Sequence, residues 1–485
     1  MNVGIDLGTT NTVVSYISNE GSLELLDVNG GFLLPSCVYA DNNTVMTGEN
    51  ALKSGEANPE NFVSSAKTRM GRQEKSYVVG GMALNPTDAA RLVLEAAYRR
   101  LREVFPDEKE FGAFVTVPAS FESGQRAETR KALIAAGFKT GGNCVIDEPV
   151  AAAIAYSPRL GGGRVLVIDF GGGTLDISLV ETDYIGSTTN PSRVKVLKSG
   201  GDRNLGGDDF DKAIAGAVYE YVRDNSPAHT DLSFPLRSQM KYARKIERLA
   251  GRAKESLSAD GVYAANIYDG DLFEDGSFEL DFDITYEEYT ALAFELIERV
   301  KKAVLSPFGG EYAISDVKNV LLVGGMAGEP FLREFVSNVF GEDKIILPPD
   351  RMYLVAKGAA VCNSDLPVQV SNKSFTSIGA LCLNEKGEDD IFYFIRAGED
   401  IDPDKKVSRL FKTGRDFAST MVIEIAEFVS REKKTVSRLE LNGLTPDFAE
   451  NQTVEITFSI NEDKYISVSA EEVSTGRKIS CNIRL

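Results

Sequence analysis

The chain has 485 residues and a formal net charge of −19 at pH 7, from 53 lysines and arginines against 72 aspartates and glutamates. This length exceeds what one hydrophobic core supports, so we expect two to four domains. The acidity argues against binding to nucleic acid or to an anionic membrane, because both need a basic face. The single histidine, His229, has neighbours typical of a loop between helices, which favours a surface role over catalysis in a Ser-His-Asp triad. One histidine cannot form a multi-histidine metal site.

The N-terminal sequence and the cysteines predict a cytoplasmic protein. The residues that follow Met1 lack the positive segment of a signal peptide, and no apolar run approaches the roughly 20 residues that span a bilayer. The cysteines are scattered and odd in number, a pattern typical of buried thiols rather than of a disulfide framework. They are Cys37, Cys144, Cys362, Cys382 and Cys481.

From residue 1 to about residue 362, short apolar strands alternate with helical patterns, which predicts an α/β architecture. One helix is predicted to start at Pro86, and a long charged helix to run from about Arg237 to Leu257. A further helix opens with a capping box at Thr285 and Glu288. Its predicted buried face consists of Tyr289, Leu292, Leu296 and Val300.

After Cys362 the helical patterns end. Residues 363–373 form a predicted connector, whose alternating apolar residues could add a strand to the first domain. These residues are Leu366, Val368 and Val370. From Ser374 onward, apolar and polar residues alternate in short runs, which predicts a compact β-sandwich. The predicted domain boundaries are therefore 1–362, 363–373 and 374–485.

Two segments of the first domain repeat one pattern. Each has an apolar strand, an aspartate, a glycine-rich turn with threonine and a returning strand. The aspartate is Asp6 in the first copy and Asp169 in the second. The repeat predicts a duplicated fold with a cleft between its halves.

Turns of this kind are typical of phosphate sites. Turn amides and threonine hydroxyls bind phosphoryl oxygens, and a carboxylate before the turn holds Mg²⁺, usually through water. One such turn alone fits a plain β-hairpin equally well, and the matched pair favours the phosphate site. The pattern predicts a magnesium nucleotide, with Asp6 and Asp169 at the metal. The predicted phosphate-binding residues are Gly8, Thr9, Thr10, Asn11, Gly171, Gly172, Gly173 and Thr174.

A third glycine-rich strand end follows Val323. Gly324, Gly325 and Met326 are candidates for binding the base or the ribose. Two adjacent glycines also occur in ordinary turns between a strand and a helix, so this alternative stays open.

These motifs resemble the seventy-kilodalton heat-shock chaperone family of the DnaK type, over the whole chain. The motifs are the turns at Asp6 and Asp169, the tripeptide Val117-Pro118-Ala119, the run from Asp147 to Tyr156, and the run from Gly206 to Asp211. The resemblance implies an α/β fold: a duplicated actin-like (ribonuclease-H-like) ATPase domain, followed by an all-β sandwich that binds peptides. It implies ATP or ADP with Mg²⁺ as cofactors. The implied partners are unfolded or extended polypeptides, a J-domain co-chaperone and a nucleotide exchange factor.

The resemblance also assigns roles to residues. Lys67 would be the catalytic lysine near the γ-phosphate, and Glu148 would orient the attacking water or the metal. Pro118 and Arg126 would relay the nucleotide state to the next domain. Without the resemblance, Lys67 and Arg126 fit surface positions and Pro118 fits a strand end. The further implied catalytic and nucleotide-binding residues are Asp6, Asp169, Thr174, Gly206, Gly207, Lys254 and Ser258.

In the β domain, five residues fall near positions that line the family's peptide groove. Such a groove holds an extended apolar peptide through backbone hydrogen bonds and a pocket for one large side chain. The sandwich core is an equally good interpretation of these residues. The family's helical lid has no residues here, which predicts fast exchange of bound peptide. The five residues are Leu383, Phe411, Gly414, Met421 and Ile423.

The nucleoside side departs from the family pattern. Gly251 stands where the family has a ribose-contacting glutamate, Gly328 replaces an arginine that lies over the adenine, and Met326 replaces a small or polar residue. The segment from Asp350 to Gly358 is two residues longer than the pattern expects. The loss of the ribose contact at Gly251 and of the adenine contact at Gly328 predicts nucleotide binding that is roughly thirtyfold to several-thousandfold weaker.

Two further functions remain open at this stage. A non-hydrolysing nucleotide-binding adaptor fits the altered nucleoside pocket. An actin-like filament or a small-molecule kinase would fit the first domain, but the β domain argues against it.

Overall fold

The computed structural model describes residues 1–481 apart from residues 29, 42–43, 72–76, 142–143, 184–191, 227–235, 260, 365–367, 372–373, 375–376, 384–388, 402–404, 430–431 and 461–465. His229 and Leu366 therefore lie outside the described residues. The chain divides into two units, Met1–Ser120 with Thr129–Gln369, and Phe121–Glu128 with Val370–Leu485. The division after Gln369 falls inside the predicted connector, and the predicted domain boundaries stay predictions.

The helices are α1 (Gly48–Ala57), α2 (Pro86–Val104), α3 (Ser123–Ala135), α4 (Glu148–Leu160), α5 (Gly207–Asn225), α6 (Leu236–Leu257), α7 (Tyr286–Leu292), α8 (Phe294–Leu305), α9 (Pro330–Phe340) and α10 (Leu354–Cys362). The strands of the first unit are β1 (Asn2–Leu7), β2 (Asn11–Ile17), β3 (Leu23–Leu25), β4 (Leu34–Pro35), β5 (Val38–Asp41), β6 (Thr44–Thr47), β7 (Phe62–Val63), β8 (Tyr77–Val79), β9 (Met82–Leu84), β10 (Gly112–Val117), β11 (Val145–Asp147), β12 (Gly163–Phe170), β13 (Leu175–Asp183), β14 (Ser192–Asp202), β15 (Ala264–Asp269), β16 (Leu280–Thr285), β17 (Val317–Val323) and β18 (Ile345–Ile346). The later strands are β19 (Val368–Ser371), β20 (Ser377–Leu383), β21 (Asp389–Ile395), β22 (Lys406–Lys412), β23 (Thr420–Val429), β24 (Glu432–Asn442), β25 (Thr453–Ile460), β26 (Ile466–Glu472) and β27 (Arg477–Cys481).

The first sheet is built around the hairpin of β1 and β2. β1 also pairs in parallel with β10, and β10 pairs in parallel with β11. β3 adds to β2 in the antiparallel direction, so the strand order is β11-β10-β1-β2-β3, with β4 also paired to β2. β1, β2 and β10 are mostly buried, and helix α10 packs against all three.

The second sheet repeats the first. β12 and β13 form the hairpin, β12 pairs in parallel with β17, β17 pairs in parallel with β18, and β14 adds to β13. Its strand order is β18-β17-β12-β13-β14-β19, with β19 at the edge. Asp6 and Asp169 lie at equivalent positions, each one residue before the end of its central strand. The predicted duplication is therefore confirmed.

The two halves of the first unit are joined by two crossing helices. α4 packs on β12 and β13 of the second sheet, whereas α10 packs on β1 and β2 of the first sheet. The helices also pack against each other, and a Cβ atom added to Gly358 would overlap the backbone carbonyl of Ala151. A glycine is needed there because the two backbones approach too closely for any side chain.

The predicted helices are present, with one correction. A capping box at Asn85 and Asp88 starts α2, and α6 covers the predicted range. The capping box at Thr285 starts α7, but the helix is interrupted at Ala293 and continues as α8. Leu292 was expected in the buried face and is 46% exposed. The buried face instead follows a spacing of three or four residues through the small Ala293. Its residues are Tyr289, Ala293, Ile297, Val300 and Val304.

In the second unit, two antiparallel sheets enclose one apolar core. Their strand orders are β21-β20-β23-β24 and β22-β25-β26-β27. Alternate residues of both sheets point into the shared core, among them Ile425 of one sheet and Ile456 of the other. This is the predicted β-sandwich, and the predicted fold class is confirmed.

The described cysteines and helices bear on two other expectations. The thiols of Cys37, Cys144, Cys362 and Cys382 are all free. No helix in the described part of the chain is long and apolar enough to cross a membrane.

Candidate functional site

A cleft with a cavity volume of about 510 Å³ opens in the first unit, between the two repeated halves. The predicted residues that line it are Asp6, Gly8, Thr9, Thr10, Asn11, Lys67, Glu148, Asp169, Gly171, Gly172, Gly173, Thr174, Gly207, Lys254, Ser258, Gly324, Gly325 and Met326. Gly206 is not in the lining and lies behind it, against the second glycine turn. The structure thus brings together residues that are spread over more than 300 positions.

The glycine turns of the two halves touch each other. A Cβ atom added to Gly172 would overlap the hydroxyl of Thr10, and one added to Gly173 would lie 2.7 Å from Cγ2 of Thr9. Any side chain at Gly172 would therefore push the turns apart. The glycines permit the close approach and leave backbone amides exposed to the cleft.

Helix α5 begins against the second turn. The backbone N–H of Gly207 donates to the carbonyl of Gly171 at 3.0 Å, and that of Asp208 donates to Gly172 at 2.8 Å. A Cβ atom on Gly206 would overlap the backbone of Gly172. The N-terminus of α5 is thus held next to the turn, where its partial positive charge favours an anion.

Lys67 lies in a short 3₁₀ helix, Ala66–Arg69, and reaches into the cleft. Its Nζ donates to Oε1 of Glu148 at 2.5 Å, and both side chains are less than 10% exposed. Glu148 is the first residue of α4. The surface position that fits Lys67 without the family resemblance is therefore wrong, because the ammonium group is buried against a carboxylate.

Four carboxylates surround this single lysine. Burial raises the pKa of Asp169 to about 8, and the negative charges of Asp6 and Asp176 add to the effect. Burial likewise raises the pKa of Asp6, and that of Glu148 well above its ordinary range. Burial by itself lowers the pKa of Lys67, but Glu148 and the neighbouring aspartates raise it overall. The cleft therefore has more carboxyl groups than Lys67 can keep ionised, and a divalent cation would stabilise their charged forms.

Among the described residues, no three acidic, histidine or cysteine side chains are close enough to bind a metal ion directly. Thr116 donates its hydroxyl to Asp6 at 3.1 Å and so orients that carboxylate. The donor set of carboxylates fits Mg²⁺ provided that water or phosphate supplies the remaining ligands.

Three acidic residues near the turns were missed by the sequence reasoning. Asp176 pairs with Asp169 across the hairpin, is 1% exposed, and accepts a hydrogen bond from the backbone of Ser120 at 3.3 Å. Burial raises its pKa to about 6. Asp208 and Asp211 line the cleft from α5. All three belong to the quoted motifs, so the signal was present in the sequence.

The predicted nucleoside side contains Lys254 and Ser258, both on or next to the end of α6. Nζ of Lys254 forms an ion pair with Asp211 at 2.6 Å and donates to the carbonyl of Gly207 at 3.1 Å. The hydroxyl of Ser258 donates to Oε1 of Glu329 at 2.5 Å. Glu329 is 1% exposed and was not identified from the sequence.

Neighbouring charged groups lie close to both glycines that replace family residues. A Cβ atom on Gly251 would lie 3.3 Å from Oδ2 of Asp211. A Cβ atom on Gly328 would lie 2.9 Å from Nη2 of Arg351. Met326, the third departure, is 5% exposed and packs in the core of the second half.

The two predicted switch residues lie outside the cleft lining. Pro118 directly follows the last residue of β10, as expected for a proline that ends a strand. Arg126, on α3, is 2% exposed and its Nε donates to the carbonyl of Phe121 at 3.3 Å. The alternative of a helix-surface residue at Arg126 is therefore wrong.

The predicted groove residues of the β domain occupy different environments. Phe411 and Ile423 are buried in the sandwich core, and Met421 packs against that core. Gly414 is exposed. The side chain of Leu383 lies outside the described part. The core interpretation thus fits Phe411 and Ile423, and the groove assignment stays a prediction.

Comparisons with known proteins cover the chain almost from end to end. The family model described as "Hsp70 protein" matches residues 2–85 and 77–485. The chain is 28% identical to "Chaperone protein DnaK" of Thermosipho africanus, over 99% of this chain and 79% of that protein. It is 29% identical to "Chaperone protein HscA homolog" of Aliivibrio fischeri, over 98% of this chain and 76% of the relative. It is also 29% identical to the "Chaperone protein HscA homolog" of Bordetella petrii, over 99% of this chain and 78% of that protein. The duplicated α/β unit, the paired glycine turns and this match agree, and the chain belongs to the Hsp70 family.

Proposed function

We propose that this protein is an ATP-dependent molecular chaperone, which binds extended hydrophobic segments of unfolded polypeptides and regulates their affinity by ATP hydrolysis. The observation that carries the ATPase part is the buried pair of Lys67 and Glu148 between two phosphate-binding turns. Phosphoryl transfer depends mainly on positioning and charge stabilisation, so a lysine and a magnesium ion suffice without a histidine. The names of the relatives support the chaperone part.

In this proposal the two turns bind the phosphates through backbone amides and through the hydroxyls of Thr9, Thr10 and Thr174. Asp6 and Asp169 would hold Mg²⁺ through water, and the ion would supply positive charge beside the phosphates. Lys67 lies towards the γ-phosphate. Glu148 accepts a hydrogen bond from Lys67 and so orients the lysine. The water that attacks the phosphate would lie on the same side of the phosphate as this pair.

The nucleoside would lie along the far part of the cleft, near Lys254, Ser258 and the third glycine turn from Gly324 to Met326. The β-sandwich would bind the polypeptide. A J-domain co-chaperone and a nucleotide exchange factor are the further partners that family membership suggests, and we place the activity in the cytoplasm.

A second function is a nucleotide-binding adaptor that binds peptides or partner proteins without hydrolysis. The specific observation in its favour is the loss of two nucleoside-contacting side chains, at Gly251 and Gly328. Weak nucleotide binding would then leave peptide binding uncoupled from turnover.

The deciding experiment measures ATP turnover by the purified chain with Mg²⁺, with and without an extended apolar peptide. Lys67→Ala is the catalytic control, and peptide binding is measured in parallel by fluorescence anisotropy. Turnover that rises with peptide and is lost in Lys67→Ala supports the chaperone. Peptide binding without turnover supports the adaptor instead.

A further inference from the structure

Arg351 occupies space that would otherwise belong to a side chain at position 328. A Cβ atom built on Gly328 would lie 2.9 Å from Nη2 of Arg351 and 3.6 Å from its Cζ. Both residues line the same cleft as the glycine turns. The guanidinium group therefore fills the gap that the glycine leaves.

The backbone of Arg351 is fixed to the third glycine turn. The N–H of Gly324 donates to the carbonyl of Arg351 at 3.3 Å, and the N–H of Arg351 donates to Pro348 at 3.1 Å. Gly324 in turn lies against Asp169, since its added Cβ would be 3.0 Å from Oδ1 of that residue. One end of the third glycine turn, at Gly324, therefore lies beside Asp169. Arg351 lies at its other end, beside Gly328.

The charge of Arg351 is not balanced by a protein group in the described part of the chain. Its Nε is buried without a hydrogen-bond partner there. Two acidic residues beside this contact are already engaged: Asp350, which precedes Arg351, pairs with Lys357 at 2.6 Å, and Glu329, which follows Gly328, accepts a hydrogen bond from Ser258. A guanidinium group that faces a ligand cleft without an acidic partner is available to a ligand.

Stacking is the interaction that suits this group. A guanidinium is planar, delocalised and weakly hydrated, and it stacks on aromatic faces more readily than an ammonium group does. The next residue, Met352, is 38% exposed and lines the same cleft, and its polarizable thioether also favours contact with a ring.

We propose that Arg351 stacks on the base of the bound nucleotide, in the space left open by Gly328. The inference rests on the proposed nucleotide-binding function and adds a residue that determines its specificity. Two departures seen in the sequence then compensate each other, because the longer segment that starts at Asp350 supplies the arginine missing at position 328. A stacked cation contacts the face of the base and does not read its edge, so ATP and GTP should bind with similar affinity.

The test compares ATP, GTP and inorganic triphosphate by isothermal titration calorimetry with Mg²⁺. Arg351→Ala should weaken both nucleotides by about two- to thirtyfold and leave inorganic triphosphate unchanged. Arg252→Ala removes an exposed arginine of α6 that does not line the cleft, and is the matched control for the lost charge. Unchanged triphosphate binding also shows that the variant is folded.

A double variant, Gly328→Arg with Arg351→Gly, moves the arginine to the other side of the same space. It should bind ATP more tightly than Arg351→Ala does. ATP affinity that is unaffected by Arg351→Ala, or a double variant as weak as the single one, would overturn the role of Arg351. Failure of the unmodified chain to bind any of the three ligands would instead contradict the proposed function.

Discussion

At the residue scale, the cleft concentrates buried carboxyl groups around one lysine. Asp6, Glu148, Asp169 and Asp176 are each less than half exposed, and each has a raised pKa because of burial. Residues arranged for stability alone would not leave so many carboxylates away from water without cations. The arrangement therefore costs stability when no ligand is bound, as is common at functional sites.

The nucleotide-free protein should lose stability as the pH rises from the unfolded-state pKa of Asp169 to its folded-state pKa. The pKa of Asp169 is about 8 in the folded chain, against roughly 3.9 when unfolded. Between these values the folded state binds the extra proton, so the free energy of unfolding falls with pH by at most about 1.4 kcal/mol per pH unit for this group. We expect the melting temperature in EDTA to fall from pH 6 to pH 8, and to fall less in Asp169→Asn.

The matched control is Asp107→Asn, at an exposed aspartate outside the cleft. It should keep the pH dependence of the unmodified protein. Identical slopes for Asp169→Asn and the unmodified protein would contradict the assignment of this titration to Asp169.

At the element scale, the crossing of α4 and α10 links the halves of the first unit. α4 begins with Glu148 and so places the partner of Lys67. Glycine at position 358 and small residues at the contact let the two helices approach closely. The position of Glu148 therefore depends on the packing of Gly358 against Ala151, three residues further along α4.

Gly358→Ala should destabilise the first unit by about 1–3 kcal/mol, the usual cost of overpacking. The added methyl group would overlap the carbonyl of Ala151, which is backbone and cannot rotate away. Chemical denaturation followed by circular dichroism measures the change. Gly216→Ala, in the exposed face of α5, has nothing within 4 Å of the new methyl group. It should stabilise by up to about 1 kcal/mol, and equal effects of the two variants would contradict the close crossing.

At the scale of the whole molecule, a net charge of −19 acts on every partner that approaches. A field of one sign attracts oppositely charged ligands and speeds their association, and salt screens the effect. The net charge thus adds a preference for positively charged partners, which an apolar binding surface does not itself provide.

We therefore expect an extended apolar peptide flanked by lysines to associate faster than the same peptide flanked by glutamates. Stopped-flow fluorescence at low salt should show the difference, and 1 M salt, where the screening length is about 3 Å, should remove most of it. A difference that persists unchanged at high salt would point to direct contacts with the flanking residues rather than to the overall field.

Local patterns predicted much of this architecture. The repeat around Asp6 and Asp169 predicted the duplicated sheets, because strand, carboxylate and glycine turn are contiguous in sequence. The capping boxes fixed helix starts, since a cap is made by residues three positions apart. The exposure of Leu292 was not predicted, because the sequence offers two neighbouring helix faces, one through Leu292 and one through Ala293. Only packing against the rest of the protein selects which of the two is buried.

The sequence by itself determined the fold class, the paired glycine turns and most of the residues that line the cleft beside them. Only the tertiary structure decided that Lys67 and Arg126 are buried and that Arg351 fills the space beside Gly328. The contact of Lys67 with Glu148 joins residues 81 positions apart, and the contact of Arg351 with Gly328 joins residues 23 positions apart. Spacing along a chain defines contacts within one turn or hairpin, whereas contacts between separate elements depend on how those elements pack.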